Sequence, residues 1–386
     1  MRGDFHYYAT YCAALLAGYS SRESCDICYA AQLPDFATVT FLDRLHAPRA
    51  AATTQSPIEL ADVRTDRLGL QDITRIWSSF HFLPYDLTAD PGKGGKTYRR
   101  KYQLICKPNG ELLRHTVELA RGRGLEATGL AMHVLADTWA HQNFAGTPSL
   151  VINNTTAYFY ELIGPRENPE RRRIEFHRNP AGGDDLDLSS YVNSVYQPSE
   201  SSIMNLGHGR AGHLPDYSFA RYVYLPAWAN YDEVVKDNPS DYWHAFTQMV
   251  YAMRCLRTGE PFELNRYATD EVAEVRELAW DILTKRRLDA SDDWCALGEQ
   301  LSGEKVEPFD LELHQQEYCE AEGQAKNDTY LGRFIRAALA QKGMVTSRIY
   351  DSGSRLAGFS IDHEPRNLGT LVAFLKRACQ KEGLHD

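Results

Sequence analysis

Apolar side chains recur at helical spacing through most of the chain. Near its start, Tyr8, Cys12 and Leu15 fall on one face of a helix, and the tetrapeptide SSRE at 20–23 has the form of a capping box that begins a second helix. Few segments alternate between polar and apolar residues, so a large sheet is not expected. The pattern predicts an all-α, multi-helix bundle, with further helices over 111–121, 125–142, 217–232, 240–257, 269–286, 328–342 and 367–381.

Two polar segments interrupt the helical pattern. Residues 86–102 (DLTADPGKGGKTYRRKY) and 164–202 contain the glycine, proline and aspartate residues that are typical of loops. Candidate site residues lie on both sides of the second loop, so we predict one helical domain over residues 1–257 that includes both loops. Residues 258–386 form a more acidic helical region, and the pattern leaves open whether this region folds independently.

Composition and charge narrow the classes of function. Of the 386 residues, 43% are hydrophobic and 24% are charged, which is typical of a chain that folds around a core. The formal net charge of -10 disfavours extended nucleic-acid binding, because an acidic surface repels a polyanion. No apolar run is long enough to span a membrane and the first residues lack a signal-peptide pattern. We therefore expect a soluble, cytoplasmic protein, and leave open an export route that needs no cleaved signal.

The strongest candidate chemistry lies in the segment GLAMHVLADTWAHQNF. Its residues His133, Asp137 and His141 recur every four positions, so they lie within about 80° of one another on one face of a helix. The rest of that helix is apolar, which indicates burial, and a buried carboxylate is costly unless a cation neutralises it. The stripe predicts a metal site in which Asp137 bridges two ions; the alternative is a hydrogen-bonded network that only holds helices together.

Two further segments carry histidines in local settings that suit a binding site. The segment GHGRAGHLPD contains His208, His213 and Asp216, and its glycines allow close approach of the backbone. His81 lies between two phenylalanines in FHFLP. Taken alone, the first segment could be an ordinary loop and His81 an ordinary core histidine.

A fourth cluster lies at the start of the chain. Asp4 and His6 precede or begin the first helix, and Asp35 ends the second, so an antiparallel helical hairpin would bring the three side chains together. The plain alternatives are a helix cap for Asp4 and a turn carboxylate for Asp35.

Taken together, these side chains are too numerous for one tetrahedral ion. Imidazole and carboxylate ligands without clustered thiolates favour two or three Zn²⁺ ions, with Mn²⁺ or Fe as alternatives. The predicted metal ligands are His6, Asp35, His81, His133, Asp137, His141, His208, His213, Asp216 and Asp4.

The order of these residues resembles that of the zinc-dependent phospholipase C and single-strand nuclease superfamily. More closely, the motifs DFHYYAT, FHFLP, HxxxDxxxHQNF and GHxxxGHLPD resemble an uncharacterised bacterial family beside it, over about residues 4–257. The resemblance implies a phospholipase C-like helical bundle with a metal cleft that hydrolyses phosphodiesters. The residues that match best are His6, Asp35, His81, His133 and Asp137, with Asp137 as the bridge.

The later ligands and the start of the chain depart from the superfamily pattern. His141, His208, His213 and Asp216 match less closely, because the superfamily's spacing after the bridging aspartate is usually longer. Secreted members bind metal through the free amine and carbonyl of a first tryptophan, whereas this chain begins Met-Arg-Gly. Asp4 is therefore the candidate to replace that terminal group at a third ion.

The sequence predicts a metal-dependent phosphodiesterase of phospholipase C type. A metal-activated water would attack the phosphodiester, and Asp35 or Asp4 would orient that water. The acidic chain has no basic stripe, so a phospholipid headgroup or a small phosphodiester is the expected substrate. P-loop, GxGxxG and GxSxG motifs are absent, which argues against nucleotide cofactors and serine hydrolysis.

Two alternatives remain open at this point. One is a nuclease or phosphomonoesterase that uses the same metals. The other is a non-catalytic, metal-stabilised helical binding module. Closed four-ligand metal shells would favour the module, and open coordination positions would favour the enzymes.

Overall fold

The computed structural model describes residues 1–63, 67–85, 87, 104–149, 152–177, 179–193 and 206–352. A π-helical segment at Asp4–Ala9 leads into the first α-helix, α1. The first half of the chain contributes α1 (Thr10–Leu16), α2 (Ser21–Gln32), α3 (Val39–Arg44), α4 (Pro57–Val63), α5 (Arg67–Phe80), α6 (Glu111–Ala120) and α7 (Leu125–Ala140). The second half contributes α8 (Asn238–Thr258), α9 (Arg276–Thr284), α10 (Ser291–Ser302), α11 (Gln315–Glu320) and α12 (Tyr330–Asp351).

Helix α7 is the centre of the molecule. Every residue from Glu126 to Ala140 is buried, as its apolar sequence predicts, and the helix packs against α2, α6, α8 and α12. Gly129 makes the closest of these contacts feasible, because a Cβ atom there would lie 2.2 Å from the carbonyl oxygen of Ile27 on α2. The close approach of α2 brings the end of that helix beside the polar face of α7.

A four-stranded antiparallel sheet lies beside the helices, so the prediction of an all-α protein is wrong. Its strand order is β2-β1-β5-β6, and a separate pair, β3 and β4, is parallel. Phe159 on β1 is paired with Tyr224 on β5, and both belong to a second core cluster rich in aromatic residues. The strands are β1 (Thr155–Ile163), β2 (Glu170–Arg173), β3 (Glu175–His177), β4 (Ser190–Val192), β5 (Arg221–Pro226) and β6 (Val234–Asp237).

The strands escaped prediction because they do not show a clear period of two. Strand β5 presents a continuous apolar run, because its consecutive residues Tyr222, Val223 and Tyr224 are all buried. Such a run does not distinguish a strand from a buried helix, and the predicted helix over 217–232 is wrong. Strand β2 has the opposite character, since its four residues ERRR are largely exposed. Together with β3 and β4 it lies inside the segment 164–202 that was predicted to be a loop.

Most of the predicted helices are confirmed. The capping box is present, because Ser20 Oγ accepts a hydrogen bond from the Glu23 N–H and the Glu23 carboxylate accepts one from the Ser20 N–H at 2.9 Å. The patterns over 111–121, 125–142, 240–257 and 328–342 all correspond to helices, and 269–286 does so only from Arg276. The predicted helix 367–381 lies outside the described residues, as does the predicted loop 86–102 apart from Leu87.

The described part of the C-terminal region packs on the same core as the first 257 residues. Helix α10 lies against the π-helical segment, where Trp294 meets Phe5 edge to face at 6.2 Å, and α12 lies against α5 and α7. Buried residues of both regions belong to one hydrophobic cluster. Within the described ranges, no helix combines the length and the apolar character needed to cross a lipid bilayer.

Candidate metal centre

Eight of the ten predicted ligands converge on the polar face of α7. They form three adjoining groups, and within each group the potential ligand atoms lie within 4.8 Å of one another. The first group is His6, His133 and Asp137; the second is Asp35, His81 and His133; the third is His141, His208 and Asp216. These side chains come from the π-helical segment, from the turns after α2 and α5, from α7 and its end, and from the loop at 207–216.

Helix α7 supplies the middle of the centre. His133 and Asp137 are one helical turn apart on the same face, and the N–H of His141, at the C-cap, donates to the carbonyl oxygen of Asp137 at 2.9 Å. Asp137 Oδ1 lies 3.1 Å from His6 Nε2, and Asp137 Oδ2 lies 3.1 Å from His81 Nδ1. The carboxylate therefore faces two groups at once, one with each oxygen, which is the arrangement that a bridging ligand needs.

Four of the histidines are oriented by backbone carbonyl groups. A carbonyl oxygen can only accept, so the contacting ring nitrogen must carry the hydrogen, and in a neutral ring the other nitrogen is then an acceptor. The tethered contacts are His81 Nε2 to Thr53 O (3.1 Å), His133 Nδ1 to Ala31 O (2.8 Å), His141 Nδ1 to His81 O (2.7 Å) and His208 Nδ1 to Gly212 O (2.7 Å). Each tether leaves the free nitrogen directed at the centre, as ligand histidines in metalloproteins are oriented.

The free nitrogens of His81 and His133 face each other and one oxygen of Asp137. His81 Nδ1 and His133 Nε2 are 3.3 Å apart, and the Asp137 carboxylate lies beside both. When both rings are neutral, two lone pairs and an anionic oxygen share this space, which is repulsive unless a cation or an added proton lies among them. The donor set around His81, His133 and Asp137 Oδ2 thus suits a cation.

Burial disfavours the added proton on most of these rings. It lowers the pKa of His6 to about 4, with His133 adding to the effect and Asp137 opposing it, and it lowers the pKa of His208 to about 4 as well. Burial alone would raise the pKa of Asp137, but nearby positive charge, His141 first, holds it well below its usual value. His133 is the exception, because the Asp137 carboxylate raises its pKa by more than burial lowers it. Neutral imidazoles beside ionised carboxylates are the ligands that a divalent cation prefers.

The α-amino group of Met1 also enters the centre. Its nitrogen lies 2.7 Å from Asp137 Oδ1, 3.4 Å from Asp216 Oδ1 and 3.3 Å from His141 Nε2. Burial lowers the pKa of this amine, but the three surrounding carboxylates outweigh burial and raise it to about 10. The predicted ligand at the start of the chain was Asp4, whereas in the structure the Met1 amine lies in the centre and Asp4 does not.

Asp4 and His213 are the two predicted ligands that lie outside the three groups. The Asp4 carboxylate accepts hydrogen bonds from the N–H groups of Phe5 (2.8 Å) and Ala290 (3.1 Å), so it joins the start of the chain to the segment before α10. His213 is about half exposed, and its Nδ1 lies 3.2 Å from Asp184 Oδ2. Asp184 lies in the segment predicted to be a loop, and no local pattern in the sequence marked it.

Solvent reaches the centre from the side of its outer carboxylates. The side chains of His6, His133 and Asp137 are at most 1% exposed, whereas Asp35 is 28% and Asp216 is 12% exposed. Asp35 ends the short 3₁₀ turn Leu33–Asp35, and its Oδ2 accepts a hydrogen bond from Gln32 Nε2 at 3.0 Å. A substrate would therefore approach Asp35 and Asp216 before it met Asp137.

Comparison with known proteins gives one match. Residues 1–349 match a family described as a family of unknown function, DUF6765. Neither the curated proteins nor the solved structures gave a match. The matched range contains all three groups of candidate ligands and nearly the whole of α12. The chain belongs to the DUF6765 family.

Proposed function

We propose that the protein is a metal-dependent hydrolase of phosphodiester bonds that binds two or three divalent ions, zinc first among them, in the centre on α7. The observation that supports the proposal is the set of three adjoining histidine and carboxylate groups, in which backbone carbonyls direct the free ring nitrogens inward.

The number of free nitrogens decides how the ligands would be shared. His133 belongs to the first and second groups, but its Nδ1 is tied to Ala31 O, so it has one nitrogen to give and can serve only one ion. Asp137 has two oxygens that face different groups and can serve two ions. We therefore assign His81, His133 and Asp137 Oδ2 to one ion, with Asp35 on the solvent side of that ion, and His6 with Asp137 Oδ1 to another.

The third group would hold a separate ion through His141, His208 and Asp216. His141 Nε2 lies 3.0 Å and His208 Nε2 lies 3.5 Å from Asp216 Oδ1, so three ligand atoms converge there. Three protein ligands leave a coordination position open for water or substrate, as in catalytic rather than structural zinc sites.

When bound, such ions would lower the pKa of a coordinated water and neutralise charge on phosphoryl oxygens. The protein's own part is to keep Asp137 ionised, to hold His6, His81 and His208 neutral and to exclude bulk water from the inner ligands. Asp35 is the carboxylate of the centre with the greatest solvent exposure, and we propose it as the group that orients the attacking water. The acidic chain favours a phospholipid headgroup or a small phosphodiester as substrate.

The decisive experiment measures metal content and hydrolysis together. The full chain is purified without chelator and analysed for zinc, manganese and iron, and then assayed on phosphatidylcholine and on bis(p-nitrophenyl) phosphate, before and after chelation and zinc restoration. We expect two or three ions per chain, hydrolysis of at least one substrate, loss of hydrolysis with chelator and recovery with zinc. A chain that holds its ions and hydrolyses neither phosphodiesters nor phosphomonoesters would be a metal-stabilised binding module instead.

A further inference from the structure

Thr53 connects two ligands of the second group. Its carbonyl oxygen accepts from His81 Nε2 at 3.1 Å, and its Oγ1 donates to the carbonyl oxygen of Pro34, the residue before Asp35, at 2.8 Å. Its N–H donates to Ala37 O at 2.9 Å, just beyond the same turn. Thr53 is fully buried. One residue thus fixes both the ring of His81 and the turn that carries Asp35.

Helix α12 contacts the backbone next to Thr53 through the side chain of Lys342. Lys342 Nζ donates to the carbonyl oxygen of Ala52, the neighbour of Thr53, at 2.8 Å. Lys342 is partly buried, and burial lowers its pKa to about 8, with Asp72 opposing the effect and Arg75 adding to it. Removing a charged lysine from water is unfavourable by itself, and the hydrogen bond to the Ala52 carbonyl oxygen helps to offset that cost.

The neighbouring residue of α12 holds the other segment that carries His81. Gln341 Nε2 donates to the carbonyl oxygen of Ser79, two residues before His81, at 3.0 Å, and to Thr116 Oγ1 at 2.9 Å. Gln341 is only 1% exposed. Lys342 therefore contacts the segment that accepts the hydrogen bond from the His81 ring, and Gln341 contacts the segment that contains His81.

We infer that Lys342 and Gln341 of α12 are positioning residues for the metal centre, which act through Ala52–Thr53 and Ser79 to set His81 and Asp35 of the second group. This inference rests on the proposed metal-dependent function. It gives the C-terminal region a role in the chemistry of the first 257 residues, because the second group is held in place by a helix that begins at Tyr330.

The physical reason lies in the orientation of His81. Its Nδ1 is a free acceptor only while Nε2 keeps its hydrogen for the Thr53 carbonyl, so a displaced carbonyl changes both the direction of the ring and the position of its hydrogen. Loss of such an outer contact typically weakens metal binding by about 10- to 100-fold. The third group shares no ligand with the second, and its one link to it is the hydrogen bond from His141 Nδ1 to the carbonyl oxygen of His81, so its affinity should change less.

The first test removes the lysine contact. Co²⁺ alone is titrated into the metal-free full chain and followed by visible absorption, bound zinc per chain is counted after dialysis, and thermal unfolding is recorded. In Lys342→Met we expect the ion of the second group to bind more weakly by up to about 10-fold, because Lys342 acts one step beyond the carbonyl group that bonds His81, and the ion of the third group to change less. Lys342→Arg should restore the affinity, because a guanidinium can still donate to Ala52 O. Arg336→Met is the matched control, an exposed cation on the same helix, and should bind Co²⁺ as the wild type does.

A second pair of variants keeps the inference testable if Lys342→Met does not fold. Thr53→Val keeps the volume of the side chain and removes the hydroxyl bonded to Pro34 O, whereas Thr53→Ser keeps the hydroxyl. We expect weaker binding of one ion in the valine variant and wild-type binding in the serine variant.

The outcomes separate the inference from the proposed function. Wild-type affinity for every ion in a folded Lys342→Met would overturn the inference, even if the variant unfolds at a lower temperature, because α12 would then affect stability alone. If Lys342→Met does not fold, wild-type affinity in Thr53→Val would overturn it instead. A wild-type chain that binds neither Co²⁺ nor Zn²⁺ would overturn the proposed function instead.

Discussion

The two ends of the metal centre are built in different ways. At one end, which we call the helical half, the ligands His6, Asp35, His81, His133 and Asp137 are held by helices or by turns next to helices. At the other end, the loop half, His141 lies at the end of α7, while His208 and Asp216 belong to a glycine-rich loop beside the aromatic core of the sheet. The helical half depends on helix periodicity and packing, and the loop half depends on backbone conformations that few residues adopt.

Glycines make the loop half feasible. Gly207 has φ +55°, and a Cβ atom there would lie 2.2 Å from Cζ of Phe82, the ring that stacks on His141 with a centroid distance of 4.7 Å. Gly212, whose carbonyl orients His208, has φ +57° and would place a Cβ atom 2.2 Å from Val192 O. The comparison shows that similar ligands can be held by side-chain packing, as in the helical half, or by glycine backbone conformations, as in the loop half. Substitutions that disturb packing should therefore damage the first half, and substitutions of the glycines should damage the second.

The largest effect is expected from Asp137→Asn, which removes a ligand of the helical half and none of the loop half. The variant should lose the two ions of the helical half, and hydrolysis should fall by more than about 100-fold, because a direct ligand contributes more than an outer contact. The loop half should keep its ion, since Asp137 is not a member of the third group. Zinc analysis and Co²⁺ titration measure this.

Asp4→Asn is the matched control for that variant. Asp4 is a partly buried carboxylate two residues before His6, but it accepts hydrogen bonds from Phe5 and Ala290 rather than facing the centre. We expect its zinc content to equal that of the wild type. Loss of an ion from Asp4→Asn would show that the carboxylate reaches the centre in solution.

The next effect concerns the packing of the helical half. In Gly129→Ala the new Cβ atom would meet Ile27 O, so α2 and α7 must separate, and we expect a loss of about 3 kcal/mol in the free energy of unfolding. The higher helix propensity of alanine contributes a gain of about 1 kcal/mol in the other direction and does not offset the clash. Urea unfolding of the metal-free chain measures the difference.

Gly343→Ala on α12 is the control for the packing argument. A Cβ atom at Gly343 would meet nothing within 4 Å, so only the propensity of alanine remains. This variant should be more stable than the wild type by about 0.5–1 kcal/mol. If Gly129→Ala also stabilises the protein, close packing of α2 on α7 does not hold the helical half together.

Gly207→Ala breaks the loop half alone. The substitution combines an unfavourable positive φ with a clash against Phe82, so we expect a loss of about 2 kcal/mol in the free energy of unfolding and the loss of one zinc ion per chain. Gly164→Ala has a similar φ of +86° with nothing within 4 Å of its Cβ atom and should keep every ion. Equal zinc content in both variants would mean that the loop half does not depend on the contact with Phe82.

The sequence predicted the helical half better than the loop half, for physical reasons. Helix periodicity alone placed His133, Asp137 and His141 on one face, and in the structure His6 and Asp35 each lie in a group that contains His133. In the loop half, the spacing suggested that His213 and Asp216 face one site, but Gly212 turns the backbone at φ +57° and His213 faces Asp184. Such a turn cannot be derived from spacing.

The sheet could not be predicted from local pattern for a related reason. Strand β5 is buried on both faces, and its Tyr224 packs against Phe144 and Phe159 of the aromatic core, so period-two alternation is lost. Met1 lacked a local signal altogether, since only the folded chain brings its amine to Asp137. Contacts between distant segments decide both features.

The smallest predicted effect tests how the helical half is supported, and it appears as a dependence of stability on pH. The pKa of Lys342 is about 8 in the folded chain and near 10.5 when unfolded, so above pH 8 the unfolded chain binds more protons than the folded chain at this residue. The free energy of unfolding should therefore increase by about 1 kcal/mol per pH unit between pH 8 and 9.5 because of Lys342, so the folded chain becomes more stable. Cysteine and tyrosine ionise in the same range, so the quantity to measure is the difference between the wild type and Lys342→Met in urea unfolding at each pH. In Arg336→Met, the difference in unfolding free energy from the wild type should not change with pH. If the difference for Lys342→Met is also independent of pH, the lysine is solvated and does not support Ala52.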